Sequence, residues 1–142
     1  MLAVIVMGIL AGLYLGTGLA QFSQKGLAFH IWVPRQQAEV GLFKNFMPYL
    51  GWAAFLLPAA AALLMGGGQR WCFVVAAALI LLTIVSTSLG EIPLNKNVFT
   101  WNPAVPIPGW ENTLSSWLKF HFFKAGIAVA AFAAGSIGLS WR

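Results

Sequence analysis

The sequence predicts an all-α integral membrane protein, a four-helix bundle with two structured interfacial loops on one face. Three observations carry that reading. Of 142 residues, 60% are hydrophobic and only 8% are charged, against about 25% charged in an ordinary soluble domain. The apolar residues gather in four runs, and a helix of about 20 such residues spans a bilayer. Two longer stretches between the runs hold most of the polar side chains. The whole chain, 1–142, reads as one transmembrane domain in contact with lipid.

The first helix is expected over residues 2–22. No Lys or Arg precedes it, as a signal peptide would require, so it reads as a retained span. Gly8, Gly12 and Gly16 recur every four residues and predict a face for close helix packing. On that reading, Gly12→Leu overpacks a helix contact. Residues 23–45 include Lys25, Arg35, Glu39 and Lys44, too many charges for a span. Trp32 and the long basic side chains suit the membrane interface. Pro34 is expected to break any helix before it, with a short amphipathic helix over 36–46.

The second helix, over 47–65, contains Pro58, which membrane helices tolerate. A tight glycine-rich connection, 66–70, makes the third helix its antiparallel neighbour. The Lys and Ser/Thr that would complete a phosphate loop are missing there. The third helix, over 71–90, ends with Ser86, Thr87 and Ser88, whose hydroxyls bond back to helix carbonyls or face a polar pocket. The fourth is expected over 112–140. Its Gly126, Ala130, Ala134 and Gly138 repeat the four-residue spacing and predict contact with the first helix. Both termini then share one end of the bundle and both complex loops cover the other, with Trp32, Trp101 and Trp110 near the interface. Lys25, Arg35, Lys44 and Lys96 on the loop end outnumber Arg70 and Arg142, so the positive-inside bias favours cytoplasmic loops.

Charge and cysteine usage narrow the function. The formal charge of +5 comes from single, scattered Lys and Arg, not the clustered footprint of a nucleic-acid binder. No nucleic-acid partner is expected. The lone Cys72 excludes an intramolecular disulfide. One cysteine, two histidines and no aspartate do not build a closed zinc site, so no metal is expected. His30 and His121 leave open a haem with two axial ligands.

The polar chemistry concentrates in residues 91–124, which hold two of the three acidic residues and three of the seven tryptophans. On a helix, Trp117, His121 and Lys124 share one face. Ionisable groups entering a span tend to face the bundle interior, though Lys119 and Lys124 can also snorkel and His121 can bond a loop carbonyl. The Pro93-Leu94-Asn95 run fixes a bend and sets an amide at the bundle mouth. Asn95 either orients a carbonyl or caps the loop backbone. Glu91 is the carboxylate beside it, as a base or as partner to Lys124.

Pro93-x-Asn95 after a third apolar helix, a Trp-rich loop, and Trp117-x3-His121-x2-Lys124 opening a fourth helix resemble the anthrone oxygenase-like family of small membrane proteins. The resemblance extends back through a glycine-rich first helix to Val33-Pro34. That family usually shows arginine where this chain has Lys124. The resemblance implies oxidation of an aromatic or enolisable substrate by dioxygen, with no tightly bound cofactor. It makes His121 the base, Asn95 and Lys124 the oxyanion donors, and Trp117 and Trp110 the walls of the ring. Apart from the resemblance, Glu91 and the interfacial His30 are further substrate-binding candidates. His121 is expected as a neutral imidazole able to accept a proton. The partner would be an apolar aromatic small molecule. An alternative remains: a non-catalytic subunit, in a homo-oligomer or among other membrane subunits, whose tryptophans form a contact surface.

Overall fold

A computed structural model describes residues 1–141 as an almost entirely helical chain. Helix α1 spans Leu2–Ser23, α2 Phe29–Phe43, α3 Met47–Leu64 and α4 Gly67–Ser86. A π-turn, Thr87–Glu91, then leads directly into α5, Ile92–Phe99, and α6 spans Trp110–Ser140. Helix α4, the π-turn and α5 form one unbroken run of 33 residues. Four helices, Leu2–Ser23, Met47–Leu64, Gly67–Phe99 and Trp110–Ser140, are long and apolar enough to cross a membrane. The protein is a multi-pass integral membrane protein.

Helix α6 lies between α1 and α4, and α3 packs on α1 and α4. The core joins Met7, Leu10, Ala11 and Tyr14 of α1 to Ala54 of α3, Ala76 and Ile80 of α4, and Ala125, Ala128 and Ala131 of α6. Two features place both termini at the α3–α4 connection: Gln69 Nε2 donates to the Trp141 carbonyl at 2.6 Å, and Ala3 packs with Ala62 and Phe73. The opposite end is capped by α2 and the segment after α5. There Gln37 Nε2 donates to the carbonyls of Val98 at 2.9 Å and Trp101 at 3.1 Å. Both complex loops therefore cover one end of the bundle, as expected.

Three details differ from the sequence reading. Pro34 does not break a helix but sits inside α2. It is exposed, so its ring crowds no neighbouring helix. The third span does not end at residue 90 either, because the run continues through the π-turn and Pro93 into α5. Proline and π-bulges are recognised sites of helix distortion, and here the widened turn directly precedes the proline.

The third correction concerns the small-residue stripes. Helices α1 and α6 do touch, but Gly12, Gly16, Gly126 and Ala130 face outward. Of the stripe on α1, Gly8 does meet α6, where an added Cβ would stand 3.1 Å from the Phe132 ring; the rest of the contact runs through Ala128, Ala131 and Gly135 of α6, the last lying against Met7. Gly138 meets α4, its added Cβ falling 2.9 Å from Cys72 Cβ. Gly12→Leu is therefore expected to leave thermal stability in detergent unchanged. Gly138→Leu is expected to cost about 1–3 kcal/mol by overpacking, and equal melting temperatures for the two variants would contradict this packing.

Candidate functional site

At the capped end, side chains from α1, the π-turn and α6 meet in the bundle interior. Glu91, His121 and Lys124 are 4%, 3% and 4% exposed. Each is placed by a local feature of its helix. In an α-helix, every four-residue step overshoots a full turn by about 40°. The wider π-turn takes back that drift, so Thr83, Thr87, Glu91 and Asn95 stay on the bundle side. Gly90 lets α6 approach, since a Cβ there would lie 2.6 Å from the Phe120 ring. On α6, Trp117, His121 and Lys124 share the inward face that their spacing predicts.

His121 is held at both nitrogens. Nε2 lies 2.8 Å from the Tyr14 carbonyl oxygen of α1. A carbonyl only accepts, so Nε2 carries hydrogen and donates. The ring reaches this mid-helix backbone because residue 18 is glycine, where a Cβ would stand 3.0 Å from His121 Cδ2. Nδ1 lies 3.1 Å from Glu91 Oε1, so one proton is shared between imidazole and carboxylate. Lys124 Nζ donates to the other oxygen, Glu91 Oε2. The Trp117 indole stacks on the imidazole at 4.3 Å and 14°, and Lys124 Nζ sits 4.3 Å above the Tyr14 ring. The group thus sets two basic side chains on one carboxylate, next to apolar walls. Neither nitrogen offers a free lone pair, unlike the proton-accepting imidazole expected from the sequence.

Asn95 is oriented by the same logic. The Trp117 indole can only donate, and its Nε1 reaches Asn95 Oδ1 at 3.1 Å. Gln36 Nε2 approaches the same oxygen at 3.5 Å. The Asn95 amide oxygen is therefore occupied, and its NH2 group remains as a donor. Thr87 and Ser88 bond back to the carbonyls of Thr83 and Ile84, both at 2.9 Å, and both also line the cavity at this end of the bundle, so they meet both uses their sequence allowed.

Glu91, Asn95, Trp117, His121 and Lys124 line one cavity of about 550 Å³. That lies within the usual range for small-molecule sites, about 300–1,000 Å³. Its other walls are mostly apolar, among them Phe43, Met47, Trp52, Ile84 and Phe99. Two sequence candidates lie elsewhere. His30 is exposed on α2, so it does not form an axial pair with the enclosed His121. Trp110 packs on Phe29 at 5.6 Å and on Trp32 at 5.2 Å, and lines a separate depression beside Lys25 and Glu111. Among the described residues, no group of three or more His, Cys, Asp or Glu converges as metal ligands would.

Sequence reasoning passed over Glu39, which lines the same cavity from α2. Its Oε2 accepts from Gln21 Nε2 at 2.6 Å, and Gln21 Oε1 in turn accepts from Trp32 Nε1 at 3.3 Å. Burial pushes the Glu39 carboxyl above the usual carboxylate range, against the Gln21 hydrogen bond and the nearby His121, which pull it down. No local spacing announces this contact, because Gln21 and Glu39 lie on different helices.

The family model for anthrone oxygenase matches residues 39–134. The matched span holds every cavity-lining residue of α2 through α6 and leaves out α1, which supplies Tyr14 and Gln21. No curated protein and no solved structure matches the chain.

Proposed function

Because the chain belongs to the anthrone oxygenase family, we propose that it oxidises an anthrone-like, enolisable aromatic ketone with dioxygen inside this cavity. The observation that carries the reading is the convergence of the buried Glu91–His121–Lys124 group and an Asn95 NH2, without an acceptor among the described residues, on one aromatic-walled cavity. Loss of a methylene proton from such a ketone leaves an enolate delocalised over its rings. Lys124 Nζ, positioned by Glu91, and the Asn95 NH2 stabilise that anion as preorganised donors, the largest single term in many active sites.

The electrons then balance without a separate reductant. The enolate gives one electron to dioxygen, and the resulting carbon radical and superoxide join in a C–O bond. The peroxide anion takes a proton. Loss of the second C–H proton forms the carbonyl and breaks the O–O bond, whose electron pair leaves with the distal oxygen as hydroxide, which is protonated to water. One substrate and one dioxygen give one quinone and one water. The exposed Trp52, Trp71 and Trp141 suit a structural subunit's contact surface, whereas Trp32 and Trp117 are buried against their own chain and Trp117 lines the cavity.

The test is oxygen uptake by the protein in nanodiscs supplied with anthrone. The expected result is one dioxygen consumed per anthraquinone formed, at a rate well above spontaneous oxidation. Uptake no faster than in empty nanodiscs, across a panel of anthrones and related enolisable ketones, would overturn the reading.

A further inference from the structure

We propose that Glu39 of α2, held by a Trp32–Gln21 relay, is the group that takes the proton from the bound substrate. The inference rests on the oxygenase reading and assigns its base. Every other candidate in the cavity is engaged. Glu91 gives one oxygen to His121 and the other to Lys124. His121 has both nitrogens bonded. The remaining titratable groups lining the cavity are Tyr14 from α1, Lys44 just after α2, Lys96 from α5 and Lys124 from α6, none of which is a carboxylate. Only Glu39 keeps an oxygen, Oε1, with no protein hydrogen bond among the described residues.

The relay also fixes how that oxygen is presented. Gln21 is fully buried, and the donor-only Trp32 indole makes its amide oxygen face Trp32. Its NH2 must then point at Glu39 Oε2. This charge-assisted bond holds the ionised carboxylate in place and leaves Oε1 for the substrate. The carboxyl's raised tendency to hold a proton suits a base. In the step itself, the C–H bond breaks, its electron pair stays on the substrate as enolate, and the proton forms an O–H bond at Glu39 Oε1. Glu39 is only half-buried and the cavity rim carries the exposed Lys44 and Lys96, so the proton can pass on to water.

The experiment excludes dioxygen, mixes anthrone rapidly with the protein in nanodiscs and records the rate at which the coloured enolate appears, as a function of pH. Wild type is expected to form the enolate rapidly at neutral pH. Glu39→Gln, which still accepts from Gln21, is expected to bind anthrone with little change but to form the enolate about a hundredfold or more slowly. Once air is admitted, its turnover should fall to a similar extent. Gln21→Met keeps the carboxylate but removes its donor, and is expected to move the rise of the enolisation rate to higher pH, which provides a test even where Glu39→Gln folds poorly. Enolate formation at the wild-type rate and pH in both variants, with its slowing in His121→Gln, would overturn the assignment in favour of His121. Absence of any anthrone binding by wild type would instead overturn the oxygenase reading, and this inference with it.

Discussion

Glu91→Gln is expected to be the most damaging single change in the protein. It removes the one negative charge that offsets Lys124 and His121 in the bundle interior. Breaking a buried pair by deleting one partner costs about 3–5 kcal/mol, whereas replacing both partners by neutral groups is often close to neutral. Unfolding in mixed micelles, followed by tryptophan fluorescence, should therefore show a large loss for Glu91→Gln. Much of that loss should be recovered in Glu91→Gln with Lys124→Met. Turnover should not recover, because the double variant lacks the Lys124 donor that holds the enolate. A double variant that regains both stability and activity would show that the charges serve the fold alone.

His121→Gln is expected to have the next largest effect. It removes the Nε2 donor to the Tyr14 carbonyl, the proton shared with Glu91 and the ring stacked on Trp117. Both ring nitrogens bond within the protein, so the imidazole acts on the enolate by holding Glu91 and, through it, Lys124 in place. A fall in kcat of about 10²–10³, the scale of losing one preorganised electrostatic contact, is expected, with anthrone still bound. Because Glu39 takes the proton, the pH at which wild-type rates rise should follow Glu39 and lie above the usual carboxylate range. Folded His121→Gln protein with wild-type kcat would remove His121 from the chemistry.

Much of this was legible in the sequence, and the rest failed for identifiable reasons. Hydropathy located all four spans, because each apolar run is long and bounded by polar residues. The spacing of Trp117, His121 and Lys124 placed them together on the inward face of α6. Glycine stripes misled because lipid-facing and helix-facing positions are both apolar in a membrane, so apolar spacing does not reveal rotational phase. Gly12 and Gly16 face outward, while Ala11 and Gly18 are buried. Pro34 misled because a proline with an exposed ring can sit within a helix such as α2. Glu39 was counted only as a charge that argued against a span. Its role depends on Gln21, a contact that exists only once α2 folds back over the end of α1.

The central claim is that the cavity beside Glu91, His121 and Lys124 is where dioxygen meets an enolisable aromatic substrate. It is tested most directly by single-turnover oxidation of bound anthrone in isotopically labelled dioxygen, run beside the refolded Glu91→Gln, Lys124→Met double variant. Wild-type protein is expected to place one labelled oxygen in the new quinone carbonyl and the other in water, while the double variant yields product only at the spontaneous rate. Equal rates in the two proteins, or a new carbonyl oxygen that comes from solvent water, would contradict the account.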